Sequence, residues 1–265
     1  MKRLITICAV AGLIFVTIAP STSPAGIIGI DSRHGFNDSS KLATGEDFDA
    51  FRATITALGH TIVPKSLFNT ADLAGLDMLI LKQPFSQNSP ADYSWGEIAA
   101  IHTFVNSGGG LMVHGDGGTG SDAYASNLNA LVLPYGVVYA SSATEGSGYT
   151  ISGFVSHPVT AGVLMIGIDY QRREVTITSP AIDLTIGSGA DNALAVVNGS
   201  GRAGNVVLLS DTSMWSDPGA GSDRPITFGD NQLLLENIIR FTIPEPGTVL
   251  LFGLGSLAVL RKRRA

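Results

Sequence analysis

Apolar positions in the first half of this 265-residue chain form short continuous runs that alternate with helically spaced stripes. Gly26 to Ile30 predicts a buried first strand, and the polar stretch Asp31 to Asp38 predicts a loop. Phe48, Phe51, Ile55 and Leu58 recur at helical spacing, and Gly59 ends that helix. Thr61 to Val63 predicts a second strand stopped by Pro64, and Met78 to Leu81 a third. Ser94-Trp95-Gly96-Glu97 is a capping box that opens a helix through Ile98, Ile101 and Val105. Gly108-Gly109-Gly110 ends it, and Leu111 to Val113 predicts a fourth strand running into His114-Gly115-Asp116-Gly117-Gly118.

The middle is less regular. Asn127 to Leu133 reads as helix; Val137 to Ala140, Thr150 to Phe154 and Val175 to Ile177 read as strands suited to antiparallel pairing. Ala193 to Val197 and Val206 to Leu209 flank a Gly-rich turn and predict a hairpin, closed by Asp211-Thr212-Ser213-Met214-Trp215. Leu233, Leu234, Asn237, Ile238 and Phe241 mark a final amphipathic helix. Alternation of strand and helix predicts an α/β fold: a mainly parallel central sheet flanked by helices, with some antiparallel additions.

Both ends of the chain depart from this pattern. Lys2 and Arg3 precede an apolar run, Leu4 to Ala19, and Ser23-Pro24-Ala25 offers small residues before Gly26. That order predicts a signal peptide over residues 1–25, with the Sec translocon and signal peptidase as partners. Cys8 lies too early in the apolar run to serve as a lipoprotein cysteine. At the other end, Pro244-Glu245-Pro246-Gly247 precedes an apolar run, Thr248 to Leu260, and then Arg261-Lys262-Arg263-Arg264. Thirteen helical residues rise roughly 20 Å against a hydrocarbon core of about 30 Å, so the run is expected to be marginal as a permanent anchor, though Pro246 to Leu260 could lengthen it. The four basic residues stay in the cytoplasm. The alternative, a buried last helix, fits poorly with so basic an end.

These terminal residues resemble the PEP-CTERM sorting signal of Gram-negative bacteria. The resemblance implies recognition by an exosortase, a membrane Cys protease-transpeptidase, and processing near Pro244, Glu245 and Pro246. It further implies transient anchoring in the inner membrane, then delivery to the cell surface or an extracellular polysaccharide matrix.

Excluding both ends leaves residues 26–243 as one α/β domain, long enough for a substantial core. The chain has 16 Lys and Arg against 22 Asp and Glu; the terminal segments hold six of the former and one of the latter. The remaining body therefore carries a net charge near −11. That balance argues against nucleic acid as a partner. The body contains no cysteine, which excludes a disulfide, a thiolate nucleophile and Cys-ligated zinc.

A second resemblance covers residues 26–243. It rests on Phe104 to Val113 with its triple glycine, a Gln-Pro loop after the third strand, His157-Pro158-Val159-Thr160-Ala161-Gly162-Val163, Val206 to Asp211, and Asn231 and Asn237. In this order they resemble the class I glutamine-amidotransferase-like, flavodoxin-like domains. There a Cys occupies the sharp turn after the strand that follows the Gly-rich helix end. The matching turn, His114 to Gly118, has none, and no Ser in the chain has Gly at both −2 and +2. Cys–His amide hydrolysis is therefore excluded.

One constellation remains. Ligands of open α/β sheets bind beyond the carboxyl ends of the strands. Asp31 and His34 follow the first strand, His114 and Asp116 the fourth, and Asp211 a late one. Convergence of these groups would suit a cation or acid–base work; the competing reading is that they shape turns and caps. No metal-spaced motif accompanies them and no cofactor is expected. Gly108 to Gly120 lacks the Gly-Lys-Ser/Thr of a phosphate loop, and Gly115 to Asp122 is a single copy of a calcium-like Gly/Asp pattern. Asp217 to Asp223 reads as a mobile loop. Trp95 and Trp215 are candidates for stacking on sugars, against which helix-start packing is the expectation for Trp95. The functional expectation is an exported surface or matrix protein with a non-catalytic domain. A secreted Asp/His hydrolase and a carbohydrate-binding module are the alternatives.

Overall fold

Five parallel strands form the centre: β1 (Ile27–Asp31), β2 (Thr61–Lys65), β3 (Met78–Lys82), β4 (Gly110–His114) and, late in the chain, β13 (Val206–Leu209). The computed structural model describes residues 25–34, 42–83, 92–115, 125–141, 144–145, 148–168, 171–186, 192–199, 203–220, 222 and 224–243. Between β4 and β13 lie β5 (Val137–Tyr139), β6 (Thr144–Glu145), β7 (Tyr149–Ile151), β8 (Ile166–Ile168), β9 (Gln171–Arg172), β10 (Val175–Ile177), β11 (Ile182–Asp183) and β12 (Leu194–Val197). The seven-stranded sheet has the order β11-β12-β13-β4-β3-β1-β2, with β11 and β12 added antiparallel. β5 pairs with β10, β6 with β9 and β7 with β8, all antiparallel. The architecture is the mixed α/β arrangement the hydrophobic pattern predicts.

β3, β4 and β13 are buried along their whole length, as strands covered on both faces must be. Alternate residues feed two cores. Met78, Ile80, Met112, Val207 and Leu209 face α1 (Asp49–Ala57) and α5 (Asn231–Thr242). Leu79, Leu81, Leu111, Val113 and Leu208 face α2 (Thr70–Leu73), α3 (Trp95–Asn106) and α4 (Ala125–Val132). Each fully buried Leu, Ile or Phe contributes roughly 1.5–3 kcal/mol, so these two layers dominate the favourable side of folding.

Several local features differ from the sequence expectation, each for a physical reason. Pro64 does not stop β2; it pairs opposite Ile30. β2 is an edge strand, and Thr61 and Ser32 make the neighbouring ladder bonds without needing an N–H at Pro64. The stripe that α5 buries is Leu234, Leu235, Ile238, Ile239 and Thr242, one position on from the predicted one. Asn237 instead lies beside the preceding loop, its amide donating to the carbonyls of Val159 and Ala161. β7 is shorter than the predicted Thr150 to Phe154, and its partner β8 has no counterpart in the predicted strands. Asp217 is fixed rather than mobile. Its carboxylate accepts from the amides of Asp49 and Ala50 at 2.9 and 2.8 Å, capping α1 from a segment far along the chain.

The capping box is present as predicted. Ser94 Oγ accepts from the Glu97 amide, and the Glu97 carboxylate accepts from the Ser94 amide at 2.9 Å. At the other end of the sheet β4 presses against the last turn of α5. A Cβ at Gly110 would stand 2.4 Å from the Thr242 carbonyl oxygen, so only glycine allows this approach.

Candidate functional site

The parallel strands deliver Asp31, Lys82-Gln83, His114-Gly115 and Ser210-Asp211 to one carboxyl edge, as the topology requires. All of these polar side chains are buried. Their hydrogen bonds fall into separate groups. Asp116 lies outside the described residues.

Asp31 and His34 come together around Tyr93. Asp31 Oδ1 accepts from the amides of Arg33 and His34 at 2.9 and 3.0 Å, an Asx-type turn that bends the chain off β1. The same oxygen lies 3.3 Å from His34 Nδ1. Asp31 Oδ2 accepts from the Tyr93 hydroxyl at 2.7 Å, with the Lys82 carbonyl also within reach at 2.9 Å. The His34 ring lies between Tyr93 and Phe68, at centroid distances of 4.3 and 5.3 Å. Among the described residues its Nε2 is buried without a hydrogen-bond partner; Glu97 Oε1 lies 3.6 Å from it. Burial, then the charge and hydrogen bond of Asp31, hold the Tyr93 phenol far above its ordinary pKa, so it remains a donor. Burial opposes ionisation of Glu97, but hydrogen bonds from Ser94 and the neighbouring His34 and Arg33 outweigh it and lower its pKa.

His114 stands apart. Its Nδ1 is 3.0 Å from the Leu81 carbonyl, and its Nε2 accepts from the Trp215 indole N–H at 2.8 Å. A carbonyl can only accept and an indole only donate, so the imidazole is neutral with its proton on Nδ1. Burial, reinforced by the charge of Lys82, lowers its pKa to about 3 against the Leu81 hydrogen bond. Neither ring nitrogen is left for Asp31 or Asp211. Asp211 in turn accepts from the Ser213 amide at 2.8 Å and shapes the turn after β13.

A third group joins the antiparallel insertion to this edge. Arg173 is fully buried; its Nε donates to Gln83 Oε1 at 2.6 Å, and a terminal nitrogen donates to the carbonyls of Ala140 and Ser141. Its own amide donates to the Ser210 carbonyl. Tyr139 packs under the turn after β4, where a Cβ at Gly115 would stand 2.5 Å from its ring. Nearby, the hydroxyls of Ser210, Thr212 and Ser216 are buried without hydrogen-bond partners among the described residues. Among those residues no three His, Cys, Asp or Glu side chains gather in a way that could hold a metal ion.

The two tryptophans separate sharply. Trp215 is fully buried, packs on Phe51 and holds His114, so it is not a stacking surface for sugar. Trp95 is 78% exposed at the start of α3, contrary to the packing expected there. Sequence reasoning overlooked Tyr93, Gln83 and Arg173. The Gln-Pro loop hinted at Gln83, but a buried Tyr or Arg inside irregular polar sequence carries no periodic signal.

No curated protein matches the chain. Among solved structures, an IFT52 N-terminal domain is 14% identical, with a TM-score of 0.62 over 84% of this chain and 99% of that one. A ThuA-like protein from Bacteroides uniformis is 12% identical, with a TM-score of 0.55 over 85% and 95%. Another from Parabacteroides merdae is 11% identical, with a TM-score of 0.54 over 83% and 90%. At such identities the likeness is one of fold alone. No helix among the described residues is long and apolar enough to cross a membrane; the run Thr248 to Leu260 lies outside them. Residues 242–264 match the family model of the PEP-CTERM protein-sorting motif, which supports an exported protein with a membrane-anchored sorting signal, processed by an exosortase.

Proposed function

We propose that this chain is a surface or matrix protein whose amidotransferase-like domain, residues 26–243, acts by binding or as a structural component rather than by catalysis. The signal peptide would hand it to the Sec machinery, and the exosortase would release it from the inner membrane. One observation carries the non-catalytic part. His114, on the strand that presents the nucleophile in the amidotransferase-like fold, has both nitrogens committed and a pKa of about 3. An imidazole with so low a pKa is too weak a base to take a proton from a nucleophile and too seldom charged to return one. Asp31 and Asp211 likewise spend their oxygens on turn amides and Tyr93.

Extracellular polysaccharide is the partner class we favour. Trp95, exposed beside the carboxyl edge, offers an aromatic face. The test is retention of the secreted protein on polysaccharide from its own cells, compared with Trp95→Ala. Equal retention of both, or none of either, removes this ligand.

A hydrolase reading keeps one specific support, the Asp31–His34 pair, whose His34 Nε2 has no hydrogen-bond partner among the described residues. It requires hydrolysis of a glycan or amide substrate that His34→Gln abolishes.

A further inference from the structure

The geometry points to a fixed orientation of the anchored precursor: we infer that the amino edge of the sheet is held against the lipid headgroup surface while the carboxyl edge faces away. This rests on the sorting-signal reading of the tail, and adds to it which face of the domain meets the membrane.

The exit point of the tail is well defined. The matched motif begins at Thr242, which is fully buried in the last turn of α5. Its Oγ1 donates to the Ile238 carbonyl at 2.7 Å and lies 3.0 Å from Met78 Sδ. Its carbonyl packs on Gly110, the first residue of β4. Asn205, just before β13, donates to the Phe241 carbonyl at 2.6 Å. Ile243 lies against Gly26, where an added Cβ would meet its side chain at 3.2 Å. Gly26 is held in turn by His60 Nδ1 at 3.0 Å and by the Thr61 amide. The first residue of the proposed mature domain, Gly26, and Ile243, the residue before Pro244-Glu245-Pro246, thus leave from one place. That place is the amino edge, opposite Asp31, His114, Asp211 and Trp95.

The tether is short. From Ile243 to Thr248 the chain spans at most about 18 Å when fully extended. A compact domain of about 220 residues has a radius of gyration of about 17 Å and a diameter of roughly 45 Å. A tether shorter than the domain, starting from a helix end locked into the core, cannot swing the opposite edge down to the bilayer. The strands themselves, about 17 Å long, add to the separation of the two edges. The orientation therefore keeps the carboxyl edge open to solutes before processing. It also brings the exosortase to a folded surface formed by Thr61, Ser107 and their neighbours.

The body has no cysteine of its own, so single thiols report this directly. Thr61→Cys and Ser107→Cys place an exposed thiol at the amino edge; Leu67→Cys and Trp95→Cys place one at the carboxyl edge. Each is made in the full chain, in cells without exosortase, with the natural tether and with a 20-residue Gly/Ser insertion after Ile243. The insertion has an end-to-end reach of about 25 Å, and should raise labelling of the two amino-edge thiols by bulky maleimide-polyethylene glycol about 3-fold or more. The carboxyl-edge thiols should label at the same rate with either tether. Equal acceleration at both edges, or none at either, in membrane-bound protein overturns the orientation alone. Recovery of the uncut chain outside the membrane overturns the orientation and the sorting reading together.

Discussion

The Trp215 indole N–H donates to Nε2 of His114 across 2.8 Å, inside a core where neither residue is exposed. The bond makes His114 a neutral strut between β4 and the turn after β13. Its stability effect has a definite sign. Folded His114 takes up a proton only near pH 3, whereas an ordinary solvent-exposed histidine does so near 6.5. Between those values the unfolded chain binds the extra proton, so the contribution is fully present above about pH 6.5 and is lost as pH falls. Wild type should therefore lose up to about 1.4 kcal/mol per pH unit more than His114→Gln between pH 6 and 4. Urea titrations across that range check it; parallel curves would remove His114 as the cause.

Tyr93 and Asp31 should be energetically coupled. A charge-assisted hydrogen bond in a buried setting is worth about 1.5–3 kcal/mol. A double-mutant cycle of Tyr93→Phe and Asp31→Asn should return a coupling of about 1–3 kcal/mol, measured by chemical unfolding. Additive losses would mean that the contact contributes nothing beyond packing.

The tryptophans give opposite expectations. Trp95→Ala should change stability by less than about 0.5 kcal/mol and lower polysaccharide retention at least about 5-fold. Trp215→Ala should cost about 3–5 kcal/mol and reduce retention only through unfolding. Circular dichroism melts alongside the retention assay separate these effects.

Asp217→Ala should cost about 1 kcal/mol by uncapping α1, and Asp217→Asn about half as much, since the amide oxygen still accepts. Losses within error of zero for both would show that water serves the two α1 amides equally well.

What the sequence disclosed follows from periodicity and local chemistry. The alternation of Met78 to Leu81 and Leu111 to Val113 with the Phe51/Ile55 and Ile98/Ile101 stripes gives the parallel sheet and its order of helices. Ser94 and Glu97 announce their helix because a capping box is local. The carboxyl edge was legible as a place, since strand ends alone locate Asp31, His114 and Asp211. Their partners were not, because Tyr93, Arg173 and Trp215 reach that edge from segments 62, 90 and 101 residues away from the groups they bind. Contacts of that separation leave no period in the sequence. Pro64 misled for a related reason: whether proline ends a strand depends on whether the strand lies at an edge, which is a property of the sheet.

The central claim is that the tail commits this protein to exosortase handling, and the most direct measurement is its size and location with and without that enzyme. Immunoblots of fractionated cells, using a tag inserted in the domain, should show a shorter form at the surface or in the medium of normal cells. Cells lacking the exosortase should instead hold a form longer by roughly 20 residues in the membrane, as should a Pro244→Ala, Pro246→Ala variant. The same size in the same fraction with and without the enzyme would contradict the claim.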